Sequence, residues 1–257
     1  MIKLKSPYSM FAKVYDRTMN EIPYHHWAYY IYQLFEAHNL TTGDWVVDIG
    51  TGTGIIAGKL SAYYKMVAID ISYSMLSFAK VNNEIKCVQA DMKALPFLND
   101  EISSAFSTHD CLNYLTDEKM MYNHFKEIYR ILKPNGLYLF DYSTEYNVLK
   151  HFNDKVFNEH YNNYHMKWSN TYDLNDQIVT SVIDITEYLP NWYGIFVFWK
   201  RKKYREIHIQ KVFSENTIEK LCKMAGFKIL KKDYDYGENK SNEYANILVY
   251  VLQKINL

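Results

Sequence analysis

The stretch VVDIGTGTG at residues 46–54 decides the fold of this chain. Its apolar beginning is typical of a buried strand, and the three closely spaced glycines that follow predict a sharp turn. Because glycine has no Cβ, the backbone can turn tightly here and a ligand can approach it closely. The apolar run at 55–57 then begins a helix, whose free N–H groups point towards that ligand. A strand, turn and helix of this kind predict a site for a nucleoside-containing cofactor.

Acidic residues identify the kind of cofactor, since Asp48, Asp70 and Asp91 each end an apolar run. The glycine spacing is G-x-G-x-G rather than the dinucleotide pattern G-x-G-x-x-G, and Asp48 would repel a pyrophosphate but suits an ammonium or sulfonium group. Asp70 lies 22 residues after Asp48, where an acid usually binds ribose hydroxyls. Asp91 can accept a hydrogen bond from an adenine amino group while Met92 packs on the ring. We therefore expect a nucleoside with a positively charged tail, not NAD.

At these residues the chain resembles the class I S-adenosylmethionine-dependent methyltransferases. The matching pieces are DIGTGTG at 48–54, IDIS and SML at 69–76, ADM at 90–92 and KPNGL at 133–137. The resemblance covers residues 8–143 well and the C-terminal part loosely. It implies S-adenosyl-L-methionine as the cofactor, with a glycine bed, Asp48 at the methionine amino end, Asp70 at the ribose and adenine beside Asp91. The cofactor-binding residues that it implies are Tyr15, Asp48, Gly50, Gly52, Gly54, Asp70, Met75, Asp91, Met92 and Ser107, with Thr108 and His109 also lining the donor.

Strands and helices alternate through the first part of the chain, which predicts a parallel sheet with right-handed crossovers. With the resemblance, the expected fold is α/β: a Rossmann-like, seven-stranded, mostly parallel sheet with helices on both faces. The predicted strands are 44–49, 65–70, 86–91, 103–109, 136–143, 227–236 and 245–253, and the predicted helices are 25–39, 54–64, 74–82, 117–132 and 214–225.

The composition changes after residue 144, where tyrosine, asparagine and tryptophan become frequent. Short strands at 177–183 and 195–199, with a turn at Pro190-Asn191, predict an antiparallel β insertion that forms a lid over the cofactor-bearing edge. The expected domains are a cofactor-binding core with an N-terminal helical cap at 1–144, a β-rich substrate lid at 145–212, and a C-terminal completion of the core sheet at 213–257.

The segment THDCLNY at 108–114 follows the fourth predicted strand, so it lies near the expected position of the methyl group. It resembles the loop of small-molecule N-methyltransferases of the glycine and amino-sugar type, and Tyr114 occupies the place of the residue that approaches the acceptor. Methyl transfer mainly requires alignment, and a base is needed only for a protonated acceptor. Tyr114, His109 and Asp110 are the predicted catalytic residues, although packing roles for Tyr114 and His109 stay open. Tyr15, with Tyr8 second, is the tyrosine that the resemblance places over the cofactor, and an ordinary helix face is the alternative.

The charge balance, with 29 basic and 29 acidic residues, gives no general attraction to nucleic acid or anionic membrane. The run KRKKYR at 200–205 is the one basic cluster; it could meet a diphosphate or RNA, or be an ordinary solvated strand. Three scattered cysteines and the lack of metal spacing predict a reduced, cytoplasmic protein without a metal. The first ten residues lack the apolar segment of a signal peptide.

These observations predict a methyltransferase that acts on a small soluble acceptor, more readily at nitrogen than at oxygen. The expected partners are that acceptor and at most a second copy of the chain, as a monomer or homodimer. A tRNA or protein methyltransferase is an alternative, and so is a cofactor-binding protein without turnover.

Overall fold

Two β-sheets organise the chain in the computed structural model, which describes residues 2–82, 85–193, 196–239, 241 and 243–255. The strands are β1 Ile2–Lys5, β2 Trp45–Ile49, β3 Lys65–Asp70, β4 Lys86–Gln89, β5 Ile102–Ser107, β6 Leu132–Ser143, β7 Val156–Tyr161, β8 Tyr164–Asp173, β9 Ile178–Tyr193, β10 Phe196–Lys211, β11 Phe227–Tyr234 and β12 Ile247–Lys254. The α-helices are α1 Tyr15–Thr18, α2 Tyr24–Ala37, α3 Ile55–Leu60, α4 Tyr73–Asn82, α5 Glu118–Ile131, α6 Glu145–Asn147 and α7 Glu215–Met224.

The larger sheet has seven strands in the order β11-β12-β6-β5-β2-β3-β4. The strands β4, β3, β2, β5 and β6 pair in parallel, whereas β12 pairs antiparallel with both β6 and β11. The predicted α/β fold with a seven-stranded, mostly parallel sheet is confirmed. Because parallel strands all end at one edge, the residues after β2, β3, β4 and β5 lie next to one another.

Helices cover both faces of this sheet, as predicted, and an apolar core fills each side. Buried side chains of α5 and α7 form one core with the sheet, and those of α2 and α3 form the other. Helix α5 shows why the sequence folds this way. Asp117 caps its first turn by accepting a hydrogen bond from the Met120 N–H at 2.7 Å, and Met121, Phe125 and Ile128 recur on its buried face.

The smaller sheet has five strands in the order β1-β10-β9-β8-β7, and all its pairs are antiparallel except β1 with β10. The predicted turn at Pro190-Asn191 is wrong, because β9 continues to Tyr193, which pairs with Phe196. Pairing between β8 and β9 ends at Tyr164 and Glu187, so beyond Glu187 strand β9 pairs with β10 alone among the described strands. Pro190 is tolerated at this edge. Ile195, the first residue of the predicted strand 195–199, lies outside the described residues.

The segment before α1 packs on the inner face of the smaller sheet. Its apolar side chains Met10, Phe11 and Val14 form a third buried cluster with residues that include Met166 and Ile183. This packing draws the N-terminal segment towards the site edge of the larger sheet.

In the part of the chain that the structure describes, no helix combines the length and the apolar character that crossing a bilayer requires. The same residues contain no group of three or more histidine, cysteine or acidic side chains arranged to hold a metal ion. Cys87, Cys111 and Cys222 are all free thiols.

Candidate active site

The glycine turn after β2 has the backbone conformation that only glycine adopts readily. Gly50, Gly52 and Gly54 have φ angles of 72°, 58° and 77°. The N–H groups of Gly50 and Thr51 both donate to the Ile69 carbonyl, at 2.8 and 2.9 Å, which ties the turn to β3. A Cβ on Gly50 would lie 2.0 Å from the Cys111 sulfur, so the turn also needs glycine for space. The turn is therefore held open beside the strand ends.

A cavity of about 640 Å³ lies over this turn, and all three predicted carboxylates, Asp48, Asp70 and Asp91, line it. Asp70 accepts hydrogen bonds from the Gly52 N–H at 2.9 Å and the Ser72 N–H at 2.8 Å. Asp48 accepts one from the Thr51 hydroxyl at 2.7 Å, but its buried Oδ1 atom has no hydrogen-bond partner among the described residues. Burial raises the pKa of Asp48 to about 7 and that of Asp70 to about 6. A cationic ligand group would satisfy the unpaired Asp48 oxygen.

The predicted adenine-binding residues lie in the same cavity. Met75, Asp91 and Met92 all line it, and Asp91 forms an ion pair with Lys93 at 2.9 Å. Burial alone would raise the pKa of Asp91, but the hydrogen bonds from Lys93 lower it. Asp91 must therefore share its carboxylate between Lys93 and any ligand.

Two predicted residues lie beneath the cavity rather than on its surface. Gly54 and Ser107 are absent from its lining, and the Ser107 hydroxyl donates to the Ile49 carbonyl at 2.7 Å. Ser107 holds β5 to β2, and Gly54 supplies the left-handed residue before α3. Both residues therefore lie where they support the turn, and their contact with the cofactor stays a prediction, whereas Thr108 does line the cavity.

A second cavity of about 870 Å³ adjoins the first. The two cavities share four lining residues, Tyr8, Tyr15, His109 and Tyr114, which form an aromatic screen between them. The Tyr8 and Tyr114 hydroxyls are 2.6 Å apart. The structure thus brings the predicted tyrosines to the boundary where a donor in one cavity would meet an acceptor in the other.

His109 is held in place by its neighbours in this screen. Its Nδ1 atom lies 2.9 Å from the Tyr15 hydroxyl and 3.0 Å from the Tyr24 hydroxyl. Burial lowers the pKa of His109 to about 4, so the ring is neutral and Nδ1 can accept from these hydroxyls. Because this nitrogen is already engaged, the geometry favours a positioning role for His109 over that of a proton acceptor.

Asp110 lines the second cavity, and a buried acid that the sequence reasoning missed holds its backbone. Asp141 on β6 accepts hydrogen bonds from the N–H groups of His109 and Asp110, at 2.7 and 2.9 Å, and from the Tyr236 hydroxyl at 2.6 Å. Burial, followed by the nearby Asp141 charge, raises the pKa of Asp110. Its Oδ1 atom is buried and has no hydrogen-bond partner within the described ranges. An acid inside the apolar strand β6 was the available sequence signal for Asp141.

A second group that the sequence reasoning missed comes from β10. His208 contacts Tyr114, with its Nδ1 atom 2.8 Å from the Tyr114 hydroxyl, and its Nε2 atom lies 3.2 Å from Glu206 Oε2. Tyr204, Glu206 and His208 are all buried and lie two residues apart, so they share one face of the strand. This alternation was visible in the sequence but was obscured by the adjoining basic run.

The basic run 200–205 contributes no side chain to either cavity. Arg205 instead forms a bidentate ion pair with Asp184 of the neighbouring strand, at 2.6 and 2.7 Å. Residues 200–203 are exposed. The solvated-strand interpretation therefore fits this run.

Comparisons with known proteins agree with the geometry of the first cavity. A family model described as a methyltransferase domain matches residues 46–136. The chain is 28% identical over 255 residues to the putative methyltransferase YqeM of Bacillus subtilis, with 96% of this chain and 97% of that protein covered.

Solved structures share the fold. A crystal structure of an S-adenosylmethionine-dependent methyltransferase from Clostridium acetobutylicum has a TM-score of 0.79 and 24% identity, covering 97% of this chain and 99% of that one. The structure of CalS10 with S-adenosylmethionine bound, an amino pentose methyltransferase from Micromonospora echinaspora, has a TM-score of 0.69 and 11% identity, covering 94% and 96%.

The matched domain and the relatives named as methyltransferases indicate methyl-transfer activity, with S-adenosylmethionine as the cofactor. The first cavity fits this cofactor, because its volume suits a ligand of that size and the unpaired oxygen of Asp48 suits the methionine ammonium group. When bound, the cofactor supplies a methyl carbon activated by a sulfonium.

Proposed function

We propose that this enzyme transfers the methyl group to the nitrogen of a small, positively charged amine. The second cavity would hold the acceptor and the first cavity the donor, with the aromatic screen between them. In this arrangement the antiparallel insertion, which supplies strands β7 to β10 of the smaller sheet, covers the acceptor as a lid.

The charge of the second cavity is the observation that carries this proposal. Lys and Arg are absent from its lining in the described part of the chain, whereas its carboxylates come from several parts of the fold. Burial, and then repulsion from Glu21, raises the pKa of Glu159, which is a sign that negative charge accumulates there. A cationic acceptor would relieve this repulsion, whereas a phosphorylated or carboxylate acceptor would increase it. The acids that line the cavity are Glu21, Asp110, Glu159, Asp235 and Glu238.

The size of the second cavity favours a small molecule over a macromolecule. At about 870 Å³ it falls within the usual range for small-ligand sites. The absence of the basic run from its lining gives no support for a nucleotide diphosphate or an RNA backbone as part of the acceptor. Of the alternatives, a tRNA or protein methyltransferase therefore receives no support from the charge of this cavity.

In this reaction the protein has to align the donor with the acceptor and to remove a proton from the acceptor. The amine lone pair forms the new N–C bond as the C–S bond breaks, and the sulfur keeps the electron pair. Tyr15 and Tyr114, which line both cavities, would exclude water from this line of approach. Since an ammonium ion has no lone pair, the acceptor must lose a proton before it reacts.

The test is a transfer assay with methyl-labelled S-adenosylmethionine. The acceptors are four amines (ethanolamine, putrescine, glucosamine and benzylamine), the matched neutral compounds glucose and benzyl alcohol, and bulk tRNA. We expect label in one or more amines, with mass spectrometry locating it on nitrogen. Label confined to the neutral compounds or to tRNA would refute the amine proposal, and binding without transfer to any compound would favour the non-catalytic alternative.

Glu159→Gln provides a variant that probes the acceptor cavity alone, since Glu159 lines only the second cavity. We expect a higher KM for the amine and an unchanged affinity for S-adenosylhomocysteine. Asp176→Asn removes the same charge from an exposed position in neither lining and serves as the control.

A further inference from the structure

A chain of hydrogen bonds runs from the aromatic screen into the smaller sheet. It passes from Tyr8 to Tyr114 over 2.6 Å, from Tyr114 to His208 Nδ1 over 2.8 Å, and from His208 Nε2 to Glu206 Oε2 over 3.2 Å. Glu206 is fully buried, and His208 is 3% exposed. Three side chains in the order hydroxyl, imidazole and carboxylate have the arrangement in which a histidine base is oriented by an acid.

The direction of each hydrogen bond follows from the acceptors at Glu206. Its Oε1 atom accepts from the Met10 and Phe11 N–H groups, and its Oε2 atom accepts from the Tyr8 N–H at 2.7 Å. A carboxylate surrounded by donors accepts from His208 as well, so the His208 proton is on Nε2.

The remaining hydrogens then have one consistent placement. With its proton on Nε2, His208 presents a free lone pair at Nδ1, which accepts the Tyr114 O–H. The Tyr114 oxygen therefore accepts a hydrogen bond from the Tyr8 hydroxyl and does not donate one to it. One lone pair of the Tyr114 oxygen stays available, and Tyr114 lines the acceptor cavity.

We propose that Tyr114, His208 and Glu206 form a proton relay that deprotonates the amine acceptor. This inference rests on the proposed function, because only an acceptor that arrives as an ammonium ion needs the relay. Tyr114 is the catalytic residue that touches the acceptor, and His208 and Glu206 act through it.

The proton balance of the relay closes without another reactant. The ammonium group gives a proton to the Tyr114 oxygen while Tyr114 gives its own proton to His208 Nδ1. The imidazolium that results lies beside the Glu206 carboxylate. Burial raises the pKa of Tyr114, so the phenol passes the proton on and does not persist as a phenolate. After the methylated product leaves, His208 returns its proton by the same route to water.

Glu206 also connects the relay to the N-terminal segment. The same carboxylate that orients His208 binds the N–H groups of Tyr8, Met10 and Phe11. Substituting Glu206 would therefore disturb both the relay and the position of the segment, which makes His208 the better residue to test.

The test compares His208→Gln with His160→Gln, using the fastest of the four amines named above. At pH 7 we expect His208→Gln to lower kcat about 10²- to 10⁴-fold, with KM for the amine little changed. His160 is exposed on β7 and lines neither cavity, so His160→Gln makes the same substitution outside the site and should keep the wild-type activity.

The pH profile separates a relay from a structural role. Between pH 7 and 9.5 the ratio of wild-type to His208→Gln kcat should fall towards one, by up to about tenfold per pH unit, because solution then supplies the free amine. The titratable groups that face His208 in the described structure are Glu206 on β10, Tyr114 after β5 and Tyr8 in the N-terminal segment, whereas its partner on β9 is Ser181. A loss that is equal at every pH, or unchanged kcat at pH 7, would overturn the relay.

Nitrogen NMR of ¹⁵N-histidine-labelled protein tests the hydrogen-bond directions without any acceptor. His208, assigned by comparison with His208→Gln, should carry its proton on Nε2 and none on Nδ1. The opposite tautomer, with amine methylation intact, would refute the relay alone. If the tautomer is the expected one but no amine is methylated, both the amine acceptor and the role of the relay in deprotonating it are refuted. The hydrogen-bond directions would still be confirmed.

Discussion

Asp48→Asn should weaken cofactor binding while it stabilises the free enzyme, because one buried Asp48 oxygen has no partner in the part of the chain that the structure describes. The variant keeps the shape of the side chain and removes its charge. A hydrogen bond to a charged group is worth about 1–2 kcal/mol more than a neutral one, and burial adds to this, so we expect a loss of about 2–3 kcal/mol. That loss corresponds to an affinity about 30- to 150-fold weaker for S-adenosylhomocysteine, which carries the same ammonium group.

The pH dependence of binding gives the same prediction a second readout. The pKa of Asp48 is about 7 in the free enzyme, and an ammonium ligand stabilises the ionised form. Binding below pH 7 must therefore release a proton, so Asp48 alone should raise the wild-type affinity by up to about tenfold per unit as the pH increases from 5 to 7. In Asp48→Asn the remaining dependence is that of Asp70, with a pKa of about 6, and the affinity should level off one unit earlier.

Stability should change in the opposite direction to binding. The folded-state pKa of Asp48 is about 7 against an ordinary value of 3.8, so its ionisation opposes folding increasingly as the pH rises between these values. The difference of about three units corresponds to at most about 4 kcal/mol, fully expressed above pH 7. Asp48→Asn removes this cost, so its free energy of unfolding at pH 8 should exceed that of the wild type.

Isothermal titration calorimetry at pH 5, 6, 7 and 8 measures the affinities, and urea unfolding at pH 8 measures the stability. Asp176→Asn is the control with the same change in net charge. Equal affinity and an identical pH profile for Asp48→Asn and wild type would refute the assignment of Asp48 to the ligand's ammonium group.

Other substitutions test separate parts of the site. Gly50→Ala should cost at least about 1–3 kcal/mol in stability and abolish binding, because its Cβ would meet the Cys111 sulfur at 2.0 Å. Gly52→Ala, whose nearest contact would be at 4.0 Å, should be destabilised only by its positive φ angle. Similar denaturation midpoints for the two variants would count against this difference. Asp70→Ala should weaken S-adenosylhomocysteine binding about tenfold or more in calorimetry, and equal affinity would mean that the ribose assignment is wrong. Tyr15→Phe loses the hydroxyl that contacts His109, so cofactor or acceptor binding should weaken measurably in steady-state kinetics; unchanged constants would remove Tyr15 from the site.

The sequence was most informative where function depends on the ends of parallel strands. Asp48, Asp70 and Asp91 were recognisable because each ends an apolar run, and parallel strands bring such ends to one edge of a sheet. All three line the first cavity. Local spacing was sufficient here, since alternating strands and helices predict parallel strands, whose carboxyl ends share one edge.

The sequence was least informative where the site joins distant segments. Glu206 binds the Tyr8 N–H across 198 positions, and His208 lies 94 positions from Tyr114. The even-numbered residues of β10 could have been assigned to one face, but nothing local indicates which segment that face meets. Ser107 shows the same limit, because the last residue of a strand can point into the sheet, where its hydroxyl bonds the Ile49 carbonyl of the neighbouring strand.

A crystal structure of the enzyme with S-adenosylhomocysteine tests the central claim most directly, namely that the row of strand-end acids beside the glycine turn holds the cofactor. We predict the ribose hydroxyls on Asp70, the amino group on Asp48 and the sulfur facing the aromatic screen. Adenine in the second cavity, or a ligand in the first cavity that touches neither Asp48 nor Asp70, would contradict the account.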